Sequence, residues 1–130
     1  MAKTPVVFSD IDLRFVKNPL TRDIARKNND EAIKNSLRNL IMTSFYERPF
    51  NSALGSPIRS MLFEPITPML GVVIKKSIEQ VITNFEPRVD LTQVLVTAQP
   101  DQNSLQVTIE YTILGTQTIK TFSLILERTR

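Results

Sequence analysis

The sequence predicts an α+β fold in which two main helices and short helical turns pack on a small C-terminal antiparallel meander of three strands. Two observations support this prediction. As far as Phe85, apolar residues recur every three or four positions, which is the spacing of amphipathic helices. Beyond Pro87 they alternate with polar residues, which is the spacing of strands that bury one face.

The first main helix is predicted over residues 30–45. Asp30 is a suitable N-cap, and Glu31 adds a second carboxylate near the positive end of the helix dipole. The apolar stripe of this helix consists of Ile33, Leu37, Leu40, Ile41 and Phe45. Before it, the stretch 18–29 is expected to form at most a short helical turn after Thr21.

Residues 46–68 are predicted to be an ordered connection between the two main helices. They contain four of the eight prolines, yet they are too apolar for a solvated linker. We expect one short helix within them, at about residues 57–63, with Ser56 as its N-cap and Pro57 at its first position.

The second main helix has clearer boundaries. Thr67 is the predicted N-cap and Pro68 the first helical residue, and Pro87 disfavours helical geometry at Glu86, so the helix should end near Phe85. Its wide apolar stripe consists of Leu70, Val73, Ile74, Ile78, Val81, Ile82 and Phe85.

Three strands are predicted at residues 91–99, 104–113 and 117–127, joined by short turns. A sheet of three antiparallel strands has two edges with unpaired backbone groups. Two interpretations are open. Either the N-terminal segment 6–11 covers an edge, or an edge accepts a strand from a partner protein by β-augmentation.

The length of 130 residues favours a single domain, 1–130, made of an N-terminal segment (1–29), a helical part (30–85) and the sheet (89–128). Histidine and cysteine are both absent, which excludes most zinc sites and the Ser-His and Cys-His nucleophile pairs. With only three glycines there is no phosphate-binding loop. We therefore expect no catalytic residues, no cofactor and no metal.

A net charge of +3 raises the question of nucleic-acid binding, but the basic residues are scattered among acidic ones rather than concentrated in a patch. We expect neither a nucleic-acid partner nor a membrane. The N-terminal apolar run of Val6, Val7 and Phe8 is too short for a signal peptide, and no run approaches the length of a membrane span.

The carboxylates leave open one enzymatic alternative, glycoside hydrolysis, because that reaction needs only two acidic side chains. Tryptophan is absent and only two tyrosines could stack on a sugar ring, so the sequence gives this alternative little support. The candidate carboxylates are Asp10, Asp12, Glu47, Glu64 and Glu86.

Glu86, Pro87 and Arg88 lie where the helical pattern gives way to the strand pattern. They are consistent with a simple helix stop followed by a strand. They are also consistent with an anchor for a partner, in which Pro87 fixes the backbone and the arginine fork binds a carboxylate or carbonyl at two points. The spacing alone does not decide between these interpretations.

Six short motifs also occur in one order along nearly the whole chain: Phe8-Ser9-Asp10-Ile11-Asp12, Ile33-Lys34-Asn35-Ser36-Leu37, Arg48-Pro49-Phe50, Leu62-Phe63-Glu64, Thr67-Pro68 and Phe85-Glu86-Pro87-Arg88-Val89. In this order they resemble the T4-type phage baseplate wedge and sheath-initiator family, which has relatives in type VI secretion baseplates. One departure is Ser44-Phe45-Tyr46-Glu47, where the family usually has a glycine and small polar residues. This departure allows the first helix to run further.

The resemblance implies a noncatalytic subunit of a contractile tail baseplate wedge, present in the virion after assembly in the host cytoplasm. Its implied partners are a larger wedge protein, on which it docks, the tail sheath protein, whose assembly it initiates by strand pairing, and other baseplate subunits. It would be a monomer when isolated and present in several copies in the baseplate. The residues expected to bind partners are Glu86, Pro87, Arg88, Arg48, Phe50, Phe122, Leu124 and Leu126.

Two alternatives to this function remain. One is a lysozyme-like peptidoglycan hydrolase with Glu64 or Glu86 as the acid, and the other, less favoured, is a basic nucleic-acid-binding module.

Overall fold

A computed structural model of the chain describes residues 8–12 and 14–128. In chain order the elements are β1 (Ser9–Ile11), β2 (Arg26–Asn28), α1 (Asn29–Met42), α2 (Ile58–Met61), α3 (Pro68–Phe85), β3 (Val89–Gln99), a 3-10 turn (Pro100–Gln102), β4 (Ser104–Ile113) and β5 (Ile119–Glu127). The chain divides into two compact units, Met1–Ser36 and Leu37–Arg130. The prediction of a single domain over 1–130 stays a prediction.

The first unit contains a small antiparallel pair of strands that the sequence did not predict. In it Ser9 of β1 pairs with Asn28 of β2, and Ile11 pairs with Arg26. The described part of the segment 6–11 therefore belongs to this two-stranded sheet and not to the three-stranded one. Val6 and Val7, which were part of the same expectation, lie outside the described residues.

A buried carboxylate follows β1. Asp12 is 5% exposed, and it accepts hydrogen bonds from the backbone N–H of Arg14 at 3.0 Å and from its Nε and Nη2 at 3.3 and 3.2 Å. The hydrogen bonds from the Arg14 side chain, followed by those from its backbone, lower the pKa of Asp12. The charged carboxylate thus fixes the turn that leaves β1.

The first main helix ends three residues earlier than predicted. After Met42 the hydroxyl of Thr43 donates to the carbonyl of Asn39 at 2.6 Å, and Ser44 forms a parallel bridge with Ser56. This pairing requires extended backbone, so helical geometry cannot continue to Phe45. Phe45 is instead 43% exposed in a turn and does not belong to the apolar stripe.

The short helix α2 also differs from its prediction in extent and in cap. It covers only Ile58–Met61, and no side chain caps its N-terminus. The predicted cap residue, Ser56, donates its hydroxyl hydrogen to the carbonyl of Ile41 at 2.6 Å instead. Ser56 therefore joins this segment to the end of α1.

The boundaries predicted for α3 are confirmed. Thr67 has extended backbone geometry and its hydroxyl accepts a hydrogen bond from the Leu70 N–H at 3.2 Å, while Pro68 is the first helical residue. The helix ends at Phe85. Its buried residues are Leu70, Ile74, Ile78, Val81 and Ile82, whereas Val73 of the predicted stripe is 40% exposed.

The three-stranded sheet has the order β3-β4-β5 with antiparallel pairing throughout, and this confirms the predicted α+β fold. The central strand β4 alternates as predicted, burying Leu105, Val107, Ile109, Tyr111 and Ile113. β3 begins at Val89, earlier than predicted, because Val89 pairs with Ile113 and the Leu114 N–H donates to the Arg88 carbonyl at 3.0 Å. Along the described chain no helix combines the length and apolar character needed to cross a membrane.

Candidate partner-binding site

The junction between α3 and β3 places the side chains of Glu86 and Arg88 against each other. Arg88 Nε donates to Glu86 Oε1 at 2.8 Å, and Arg88 Nη2 donates to Glu86 Oε2 at 3.1 Å. The Glu86 side chain is 5% exposed and that of Arg88 is 24% exposed. Two parallel hydrogen bonds between a guanidinium and a carboxylate make a strong and geometrically defined pair.

The local sequence explains this geometry. Glu86 has non-helical backbone, with φ −123° and ψ 82°, and Pro87 follows with its fixed φ, so α3 cannot continue and the chain turns into β3. This turn brings the side chains of Glu86 and Arg88, two positions apart, to the same side of the backbone, where they form hydrogen bonds. The Arg88 guanidinium is thus engaged by Glu86 of the same chain.

A cleft of about 450 Å³ lies beside this pair, between the last turns of α3 and the first residues of β3. Glu86 and exposed Pro87 contribute to its lining, as do Glu79 and Asp90. Within the cleft β3 has an irregularity, because the pairing register with β4 shifts between Leu91 and Gln93. The bulge interrupts the regular backbone pattern at this edge of the sheet.

The opposite edge is formed by β5, whose pairing with β4 is regular from Ser104–Glu127 to Thr112–Ile119. Leu124 and Leu126, which were expected to bind a partner, are 8% and 2% exposed. Their side chains belong to the core, because alternation along β5 turns them inward. Only their backbone groups remain available for pairing at this edge.

Phe122 is half-buried on the same inward-facing side of β5, whereas Ile119 and Ile125 are exposed on the other face. A cleft of about 410 Å³ adjoins the C-terminal end of β5 and is lined mainly by apolar side chains. Its lining includes Met42, Phe63 and Ile125. None of these three residues was predicted to bind a partner, although Phe63 lies in the Leu62-Phe63-Glu64 motif.

Arg48 and Phe50 lie in a separate loop between α1 and α2, and both side chains are exposed. The base of this loop and the C-terminal part of α3 enclose a third cleft, of about 220 Å³, lined among others by Phe45, Gly55 and Phe85. The residues predicted to bind partners thus occupy three segments of the Leu37–Arg130 unit. Their binding roles stay predictions.

The carboxylates considered for hydrolysis are mostly engaged by neighbouring donors. Both oxygens of Glu86 accept hydrogen bonds from Arg88, Asp12 is held by Arg14, and Glu47 Oε2 accepts from the Ser44 N–H at 2.8 Å. Glu64 lies exposed in the bend after α2. Among the residues that the structure describes, no group of three or more acidic side chains is arranged to hold a metal ion.

Sequence comparison adds direct information on the family. Residues 27–118 match the family model described as baseplate wedge protein gp25. The baseplate wedge protein gp25 of Enterobacteria phage T4 is 33% identical over 114 residues, which cover 88% of this chain and 86% of that protein. The chain belongs to the baseplate wedge protein gp25 family. The family resemblance that the short motifs indicated is therefore confirmed, and so is a structural role in a baseplate.

Several solved structures share the fold of this chain. A candidate tail lysozyme from Geobacter sulfurreducens superposes with a TM-score of 0.71 at 22% identity, covering 78% of this chain and 92% of that one. A chain of the anti-feeding prophage baseplate gives 0.65 at 22% identity, with coverages of 91% and 83%. A chain of the post-contraction pyocin R2 baseplate gives 0.57 at 16% identity, with coverages of 94% and 100%. At these identities the similarity establishes the fold.

Proposed function

We propose that this protein is a noncatalytic structural subunit of the baseplate wedge in a contractile tail. The observation that supports this most strongly is its 33% identity to the wedge protein of phage T4 over 88% of the chain. The subunit is made in the host cytoplasm as a single-domain monomer, and several copies enter the tail baseplate of the virion, where other baseplate subunits contact it.

The anchor for a larger wedge protein is the pair Glu86 and Arg88 together with Pro87. A docking residue binds most tightly when its conformation is fixed before the partner arrives. The bidentate hydrogen bonds and the proline hold these side chains in one arrangement, and Pro87 is exposed beside a cleft. The partner would occupy this cleft and cover the partly exposed guanidinium.

The edge that pairs with a strand of the tail sheath protein is β5. A β-augmentation site needs a regular row of backbone donors and acceptors. β5 offers nine residues in unbroken register, while β3 contains a bulge near its start, and bulges discourage pairing at an edge. The exposed side chains Ile119 and Ile125 would add apolar contact to the backbone hydrogen bonds.

Two lysine substitutions test which edge is used. Ser123→Lys in β5 and Thr97→Lys in β3 both alter exposed positions on edge strands, and a lysine at an edge opposes strand pairing. In tails assembled with each full-length variant, Ser123→Lys should reduce sheath incorporation while Thr97→Lys should not. Equal sheath incorporation with both variants would reject β5 as the pairing edge.

Affinity capture from tail-producing cells, followed by mass spectrometry, tests the wedge anchor. The double variant Glu86→Gln/Arg88→Gln removes both charges together and so avoids leaving one charge buried without its partner. It should lose the larger wedge protein, whereas Lys76→Glu, an exposed charge change on α3, should retain it. If both variants capture the larger wedge protein as well as the unaltered chain does, the three residues form only a turn.

The alternative function is that of a peptidoglycan hydrolase. We test it because the Geobacter protein with the same fold is described as a candidate tail lysozyme. The arrangement of Glu86 argues against it, since a carboxylate whose two oxygens both accept hydrogen bonds from a guanidinium is an anchor rather than a proton donor. Turbidity of a cell-wall suspension provides the test. Clearing by the unaltered protein that disappears in Glu64→Gln or Glu86→Gln would establish the enzyme instead.

A further inference from the structure

The loop between α1 and α2 presents two aromatic side chains to solvent. Tyr46 is 83% exposed and Phe50 is completely exposed. Single exposed apolar residues are common on protein surfaces. Two large aromatic side chains four positions apart on one loop contribute nothing to the core, so the fold itself gives no reason for them. We call residues 44–54 the aromatic loop.

The backbone of the aromatic loop is ordered by consecutive turns. The Glu47 N–H donates to the Ser44 carbonyl at 3.3 Å, the Asn51 N–H to the Arg48 carbonyl at 3.3 Å, and the Leu54 N–H to the Asn51 carbonyl at 3.2 Å. In the middle turn Pro49 occupies the second position, which its fixed φ favours. Phe50 therefore projects from a preorganised turn.

A cross-link within the loop adds to this order. The Tyr46 N–H donates to the Ser52 carbonyl at 3.0 Å and closes the segment 46–52. Tyr46 itself has φ +66°, a left-handed conformation that is unfavourable for an aromatic residue. Such conformations persist where the surrounding structure imposes them, and they are concentrated at functional sites.

The base of the loop is fixed by close backbone packing. Gly55 has φ +155°, and a Cβ atom at this position would lie 2.7 Å from the carbonyl carbon of Ser44 and 2.8 Å from the backbone nitrogen of Phe45. Beside it, the buried hydroxyl of Ser56 donates to Ile41. The exposed aromatic side chains are therefore carried on a well-anchored support.

The charges of the loop indicate the chemistry of its partner. The carboxylate of Glu47 is engaged by the Ser44 N–H at 2.8 Å within the loop. Arg48 is exposed and forms no ion pair with any residue that the structure describes. The loop thus displays tyrosine, arginine, proline and phenylalanine, and tyrosine and arginine are among the residues that dominate protein interfaces.

We propose that the aromatic loop is a separate docking element, which inserts Phe50 and Tyr46 into an apolar cleft on a neighbouring baseplate protein while Arg48 pairs with a carboxylate at the rim of that cleft. This inference rests on the proposed baseplate function. A rigid aromatic anchor loses little conformational entropy on binding, which suits it to a subunit that must add to an assembly in one orientation.

The experiment is site-specific photocrosslinking in cells that assemble the tail. A photoreactive phenylalanine analogue replaces Phe50 in the full-length chain, and the adduct is mapped by mass spectrometry. A matched probe at Leu20, which is 92% exposed in the Met1–Ser36 unit, reports contacts made by exposure alone. We expect one baseplate protein to be linked at one apolar segment that contains an aspartate or glutamate, in excess over the Leu20 probe.

Affinity for the purified crosslinked protein provides the second measurement. Phe50→Ser and Arg48→Glu should each weaken binding roughly ten- to thirtyfold, the usual effect of removing an interface hot spot. Tyr46→Asn should weaken binding too, because asparagine tolerates the left-handed backbone but lacks the ring. Reversing the charge of the crosslinked acidic residue should restore binding to Arg48→Glu.

Several results would overturn the proposal: no adduct above that of the Leu20 probe, an adduct with a second copy of this chain, or an adduct with a peptidoglycan fragment. The outcome is separable from that of the Glu86–Arg88 anchor. If the crosslink forms but Glu86→Gln/Arg88→Gln still captures the larger wedge protein, only the anchor fails. If the anchor variant behaves as expected and no crosslink forms, only the loop proposal fails.

Discussion

Ser56 Oγ donates a hydrogen bond of 2.6 Å to the backbone carbonyl of Ile41, fifteen positions earlier in the chain. The bond is buried, and it satisfies a carbonyl in the last turn of α1, where no further helical N–H is available. It also holds the segment before α2 beside the end of α1. The Ser56 hydroxyl thus connects the end of α1 to the segment before α2, and the aromatic loop lies between them in the sequence.

Replacing Ser56 by alanine should lower the free energy of unfolding by about 1–3 kcal/mol, because a buried acceptor loses its donor. Ser60→Ala is the matched control, since the Ser60 hydroxyl donates to the Pro57 carbonyl at 2.7 Å on the exposed surface. This change should stay within about 0.5 kcal/mol. Urea unfolding followed by circular dichroism measures both, and equal effects would mean that burial of the Ser56 bond is unimportant.

Gly55→Ala should destabilise the protein more than Gly115→Ala. At Gly55 a methyl group would collide with backbone atoms at 2.7 Å as well as strain the backbone, whereas at Gly115, with φ +87°, no atom lies within 4 Å of the new Cβ. Gly115→Ala therefore carries only the conformational cost, about 1 kcal/mol, and Gly55→Ala about 2 kcal/mol or more. Thermal unfolding should rank the two variants in this order.

Thr67→Ala should cost about 1 kcal/mol, since the Leu70 N–H loses its side-chain acceptor at the start of α3. Thr67→Ser keeps an oxygen in the same place and should remain close to the unaltered protein. If both substitutions have the same effect on the unfolding free energy, the hydroxyl is not acting as an N-cap.

The turn after β1 should weaken in acid. Hydrogen bonds from Arg14 lower the pKa of Asp12 in the folded protein, so its carboxylate contributes stability that is complete above the ordinary aspartate pKa of about 3.9 and is lost as the pH falls through the lower folded value. The protection of the Arg14 amide against hydrogen exchange, measured relative to its intrinsic exchange rate at the same pH, should therefore decrease below about pH 4. Asp12→Asn should exchange rapidly already at neutral pH, and an unchanged rate there would contradict this account.

Much of the fold could be predicted because its signals are local. Thr67-Pro68 and Pro87 bracket α3, and the alternation from Leu105 to Ile113 identifies the central strand. The β1 and β2 strands escaped prediction because each has three residues, and the sequence of β2, Arg26-Lys27-Asn28, has no β preference. The end of α1 was wrong because a pairing between Ser44 and Ser56 overrode the helical spacing.

The candidate site was harder to predict than the fold. Apolar residues occur on both faces of β5, and only the register shows that Leu124 and Leu126 face the core while Ile119 and Ile125 face outward. The Glu86–Arg88 pair depends on a backbone turn. The sequence indicates that a turn occurs there, but it does not give the backbone angles that direct the two side chains toward each other. The aromatic loop was visible only in part, as Arg48-Pro49-Phe50 and the preceding Ser44-Phe45-Tyr46-Glu47, because local spacing signals neither the left-handed backbone of Tyr46 nor its hydrogen bond to the Ser52 carbonyl.

We propose that Glu86 and Arg88 anchor this subunit to a larger wedge protein. The most direct measurement is the dissociation constant between the two purified proteins, determined for the unaltered chain, for Glu86→Gln/Arg88→Gln and for Lys76→Glu, with folding of each checked by circular dichroism. Truncation of a residue that dominates an interface costs about 2 kcal/mol or more, so the double variant should bind at least roughly thirtyfold more weakly while Lys76→Glu binds normally. Unchanged affinity in the folded double variant would contradict the claim.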